Sequence, residues 1–161
     1  MELLQKARAL YEKGDMHDAL EVAQVACERK PKDAEGWWLL GCISRYTGMP
    51  AASDAAFRRA AELSRKRPAP VRVDSSRFKA LLDTASASLS KDARRRLAGT
   101  ELKVEPLPSL EAIRGGTSPD AASLRRRQPQ DVMTLFQVNL ENRSGTEADL
   151  AKQVARVLAR A

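Results

Sequence analysis

A period of 34 residues within the first 64 constrains this chain more than any other feature. Leu3 pairs with Trp37, Ala7 with Gly41, Gly14 with Gly48, Ala19 with Ser53, Ala23 with Phe57 and Ala26 with Ala60, each pair 34 positions apart. A period of that length marks a repeat architecture in which each unit stacks on its neighbour. Small residues at recurring positions suit helices that cross closely, because a side chain ending at Cβ lets the axes approach. Gly14 and Gly48 each end a helix and permit the turn that follows. Pro31 falls just after a helical run that it cannot extend. The pattern predicts two helical hairpins over residues 1–64.

The order of large apolar, small, glycine, small, aromatic and small residues, with Pro31 closing the first unit, resembles the tetratricopeptide repeat. The second unit lies nearer that pattern, with Trp37, Leu40, Gly41, Phe57 and Ala60. It departs at Ser44 and Ser53, where the family carries Tyr and Ala. The first unit has Leu3, Lys6 and Ala7 where the second has Trp, Leu and Gly. The resemblance implies a protein-binding module in which the first helix of each unit lines a concave groove. That places Leu4, Arg8, Tyr11 and Glu12 on the wall from the first unit, and Trp38, Leu39, Cys42, Arg45 and Tyr46 from the second. Trp, Tyr and Arg are the side chains that dominate binding energy at interfaces. The rival reading of Trp38 and Tyr46 is packing on residues 74–98. Trp37, at the family's packing position, is expected in the core. The family's two-basic, two-Asn clamp for C-terminal carboxylates is absent. Two units leave an open apolar end after Leu63, which the helix around Phe78, Leu81 and Leu82, or a partner protein, is expected to cover.

Composition narrows the function classes. Apolar residues make up 43% of the chain but aromatics only 4%, and Ala and Leu dominate, which favours helices. No apolar run approaches the length of a membrane span. The start of the chain, with Glu2, has no apolar signal core, so a cytoplasmic location is expected. Cys27 and Cys42 are expected to be reduced and buried. A single histidine, His17, leaves no metal set, no catalytic triad and no catalytic residue to name, and no cofactor motif is present. The net charge of +7 is uneven: residues 1–64 carry −1 and residues 65–161 carry +8.

Composition shifts at 65–73, where Arg65-Lys66-Arg67 and two prolines form a linker. The expected second domain is 74–161. Asp74-Ser75-Ser76 caps a helix bearing Phe78, Leu81, Leu82 and Ala85. Ser90 caps another helix ending near Leu97. Leu102, Val104, Leu107 and Leu110 predict a short strand running into Pro106 and Pro108. Residues 112–130 are expected as a loop, with Gly115-Gly116 as a flexible turn. Val132 to Leu140 predicts one buried strand. Thr146 opens a last helix with Leu150, Val154, Val157 and Leu158 on one face. The expected fold is mainly α, two helical hairpins followed by a small α+β domain.

Residues 76–161 resemble the small bacterial zincin-like metallopeptidases. The residues that carry this are Phe78, Leu81, Leu82 and Leu89, then Leu102 to Leu110 with Leu107-Pro108-Ser109-Leu110-Glu111, then Val132 to Glu141, then Leu150, Val154, Val157 and Leu158. In that family the last helix runs into H-E-x-x-H, which holds zinc and activates water. Ala159 and Arg160 stand where the first His and the Glu are expected, and neither can do that work. The implied domain is a non-catalytic relative without metal. Together the two resemblances predict a non-enzymatic module that binds and restrains or escorts one specific protein: an inhibitor, a secretion chaperone or a regulatory adaptor. One alternative is a binder of nucleic acid or acidic surfaces through the basic second half, by way of Arg65 to Arg67, Arg94 to Arg96 and Arg125 to Arg127. Another is a metallopeptidase relative that takes residues from another chain. Oligomeric state is left open.

Overall fold

The computed structural model describes residues 2–161. In chain order the elements are α1 (Leu3–Lys13), α2 (Met16–Arg29), α3 (Ala34–Tyr46), α4 (Pro50–Leu63), α5 (Ser75–Ala87), α6 (Lys91–Leu97), β1 (Glu101–Glu105), α7 (Leu110–Arg114), β2 (Ser123–Arg126), β3 (Val132–Phe136), α8 (Gln137–Asn142) and α9 (Glu147–Ala159). The protein is mainly helical with one three-stranded sheet. None of the described helices is long and apolar enough to cross a membrane. The chain divides into two compact units. One runs to Ala69 and takes in Ser109–Pro119; the other holds Pro70–Pro108 and Asp120–Ala161. The expected boundaries, 1–64 and 74–161, did not assign Ser109–Pro119 to the helical unit.

In the helical unit α1 packs on α2, α2 on α3 and α3 on α4. The 34-residue period recurs bond by bond. Gly14 and Gly48 both hold the left-handed conformation, at φ +86° and +76°. After each, the chain turns back with the same bond: Asp15 N–H donates to the Leu10 carbonyl at 2.9 Å, and Met49 N–H to the Ser44 carbonyl at 3.0 Å. The closing bonds of α2 and α4, Lys30 to Ala26 and Ser64 to Ala60, are both 3.0 Å.

The small residues stand at close crossings. A Cβ on Gly41 would lie 2.7 to 3.0 Å from the Phe57 ring. Ser53 uses its extra atom there, its hydroxyl donating to the Gly41 carbonyl at 2.6 Å. Trp37 is half-buried and donates its indole N–H to the Pro31 carbonyl at 2.9 Å. Trp38, rather than Trp37, packs against buried Phe57, with ring centroids 4.6 Å apart and planes tilted by 58°.

In the second unit the sheet order is β1-β3-β2, with β1 parallel and β2 antiparallel to β3. Its core joins Phe78 and Leu82 of α5 to Met133 and Leu135 of β3 and to Leu150, Val154 and Leu158 of α9. Phe78 and Leu82, expected to cover the end of the repeat after Leu63, are buried in the second unit's own core. They repeat at i, i+4, as Leu150, Val154 and Leu158 do, and the two matching stripes bury each other.

The apolar run 132–140 is not one strand. β3 ends at Phe136 because both ladders end: Glu105 pairs with Phe136 before Pro106, and Ser123 pairs with Leu135. Without a ladder the backbone turns to intrahelical bonds, and Val138 N–H donates to the Pro106 carbonyl at 3.0 Å. The expected loop 112–130 contains part of α7 and all of β2, and Leu110 belongs to α7 rather than to β1. The helix caps fall as expected at Asp74, Ser90 and Thr146, each accepting a backbone N–H through its side chain.

Candidate functional site

The site in the helical unit is built on α1, α3 and the Ser109–Pro119 segment. Tyr11 lies on α1 one helical turn before the Gly14 stop, and Tyr46 ends α3. Their rings meet edge to face, with centroids 5.9 Å apart and planes at 72°. This geometry suits the quadrupoles of the two rings. The Tyr46 hydroxyl donates to the Pro119 carbonyl at 2.7 Å.

From the same segment Ile113, only 3% exposed, enters the apolar cluster of Ala7, Tyr11, Leu39 and Cys42. Ile113 lies beside Gly14: a Cβ there would be 3.4 Å from Ile113 Cγ2, in ordinary van der Waals contact. The segment has its own order. The Ser109 side chain caps α7 by accepting Ala112 N–H at 3.0 Å. After Arg114 the turn closes through Gly116 N–H to Ile113 and Thr117 N–H to Ala112, both 3.0 Å.

The predicted wall residues separate into groups. Tyr11, Leu39 and Cys42 are buried, while Leu4 and Tyr46 are half-buried against the same cluster. Arg8 and Glu12 are exposed. Arg45 is drawn toward α4, with Nη1 3.5 Å from Asp54. Trp38 also meets α4 through Phe57, and the Arg67 guanidinium covers its ring at 4.8 Å from the centroid. Sequence reasoning missed Ile113 and Pro119. Their local signal was a Ser109 cap ahead of an apolar residue, obscured by the surrounding Gly and Pro.

The reactive side chains elsewhere are held structurally. Burial, and secondarily Asp33, pushes the Cys27 thiol up to about 11, which leaves it protonated and unreactive at neutral pH. Glu141, buried in the second unit, accepts from Arg72 Nη1 at 3.2 Å, Val73 N–H at 2.9 Å and Gln137 Nε2 at 3.2 Å. A carboxylate so fully bonded anchors the chain around α8. Among the described residues no three His, Cys, Asp or Glu side chains gather as a metal-holding set. His17 is exposed on α2. Arg94 and Arg96 serve helix ends: Arg94 donates to the Ala87 carbonyl at 2.9 Å, and Arg96 to those of Ala159 and Ala161 at 2.8 and 2.9 Å.

No protein-family model matches this chain, and no curated protein is significantly similar to it.

Proposed function

We propose that the helical unit is a tetratricopeptide-like module that binds a specific partner protein, and that the protein acts through this binding rather than through catalysis. The observation that carries the reading is the seating of Ser109–Pro119 against α1 and α3. A short helix inserts one branched apolar side chain, Ile113, and a following carbonyl accepts from Tyr46. The partner is a protein segment of the same chemistry, a short helix with an apolar anchor, and it adds contacts to the exposed Arg8 and Glu12 beside the groove. The second unit is proposed as a non-catalytic zincin-like domain. Its support is the order of α5, the sheet and α9, with Leu150, Val154 and Leu158 along one face of α9 and Ala159-Arg160 at its end.

The test is a photo-crosslinking residue placed singly at Arg8 and at Glu12, in the cells that make the protein, with Lys79 on α5 as the control position. One discrete adduct from both groove positions, absent from the control and enhanced by Ile113→Ala, is the expected result. The same adducts from all three positions, or none, would overturn the proposal.

A further inference from the structure

The second unit carries a cleft of different chemistry. β2 is an edge strand of the sheet, and alternation sets Ser123 and Arg125 on one face, with Arg127 just past the end of the strand. On α9 and its C-cap residue Arg160, residues Gln153, Arg156, Val157 and Arg160 follow the i, i+3, i+4, i+7 spacing of a single helical stripe. Both stripes, with Arg143 and the apolar Met133, line a cleft of about 480 Å³. Five arginines line it and no carboxylate side chain does.

Among the described residues, Arg127, Arg143, Arg156 and Arg160 have no carboxylate within salt-bridge distance. Arg143 Nη2 donates to the Asp120 carbonyl at 2.6 Å, and the Arg127 charge helps to hold the Asp131 carboxyl down. Arg125 pairs with Asp131 directly and is fixed in place. Its Nε and Nη2 donate to Asp131 at 3.0 and 2.9 Å, and Nη2 also reaches the Arg96 carbonyl and Thr100 Oγ1 at 2.8 and 3.0 Å. Its Nη1 is buried with no hydrogen-bond partner. Elsewhere in the chain clustered arginines are spent on helix ends and ion pairs, as with Arg94, Arg96 and Arg67. Here positive charge is concentrated in a concavity, where low-dielectric walls focus the field.

The charge density selects the ligand. A phosphate group brings about −1.5 to −2 charges at neutral pH, so two or three of them balance the four guanidinium groups that Asp131 leaves unneutralised. A carboxylate ligand would need about four groups in the same volume. Guanidinium forks also match phosphate oxygens two at a time. Arg156 and Arg160 are spaced by about 6 Å along the helix, and Arg125 and Arg127 by about 7 Å along the strand and just past it, so several can meet one molecule. No aromatic side chain lines the cleft to stack a nucleic-acid base. We propose that this cleft binds a small molecule carrying two or more linked phosphates, with the rest of the ligand against Met133 and Val157.

The test uses the full chain and inorganic tripolyphosphate in a calorimetric titration at moderate salt. The expected result is one site per chain, with citrate binding far more weakly. Arg156→Gln with Arg160→Gln, both exposed, should weaken binding roughly a hundredfold, about tenfold per charged hydrogen-bonding group lost. Arg127→Gln, on the strand side of the cleft, should give an independent loss and serves if the double variant does not fold. The proposal is overturned by no binding at millimolar tripolyphosphate, by undiminished binding in these variants, or by citrate binding as well. Tighter binding of single-stranded DNA, with several chains per strand and no competition from tripolyphosphate, would also overturn it in favour of nucleic acid.

Discussion

Ile113→Ala tests the assignment of Ser109–Pro119 to the helical unit. Ile113 is 3% exposed and packs in a cluster with Ala7, Tyr11 and Leu39. Alanine removes three carbons, about 0.8 kcal/mol each in transfer from water. The cavity left beside Tyr11 adds to this, since helix backbones on either side restrict collapse, and the total is about 3 kcal/mol. That is a large share of a typical domain stability. If the loss falls mainly on the segment, its opening equilibrium rises by roughly a hundredfold. Amide hydrogen exchange should then show faster exchange at 112–117, whose N–H groups close α7 and its turn, and along α1. Tyr46→Phe, which deletes the hydroxyl bond to Pro119, should give the same pattern at about 1 kcal/mol. Unchanged exchange at 112–117 in Ile113→Ala, or a total loss below about 0.5 kcal/mol where a core truncation is expected, would refute the packing argument.

Gly41→Val should destabilise the helical unit by about 1–3 kcal/mol in urea, because even its Cβ overlaps the buried Phe57 ring; a neutral effect would mean that the α3–α4 crossing is looser than described. The Asp131 carboxylate is held down to about 2, foremost by the Arg125 hydrogen bonds and then by the Thr100 hydroxyl. A carboxylate with a lowered folded pKa contributes stability that is present above its ordinary value, near 3.8, and is lost as pH falls toward 2. Acid titration of thermal stability should therefore be shallower in Asp131→Asn between about pH 4 and 2, and identical acid profiles would count against the Arg125–Asp131 pairing.

The sequence by itself determined the helical hairpins and most helix ends. Gly14 and Gly48 stop helices because left-handed backbone is cheap only for glycine. Asp74, Ser90 and Thr146 start them because a side-chain oxygen within three residues satisfies a free N–H. These are local energies, and local sequence carries them. The partners of the residues expected on the wall were not legible: Tyr11, Leu39 and Cys42 are buried, and Trp38 and Arg45 turn to α4 because Phe57 and Asp54 are there to meet them.

Tertiary structure alone decided where β3 ends, since a strand lasts only as long as its neighbours supply ladder bonds. It also decided that Phe78 and Leu82 face α9, and that Arg125 joins α9's arginines in one cleft. Above all, it decided that Ile113, more than a hundred residues from Tyr11, completes the core of the repeat. Nothing near Ile113 in the chain specifies that contact. It depends on an apolar hollow beside Gly14 and a hydroxyl on Tyr46, surfaces that exist only once α1 and α3 have packed.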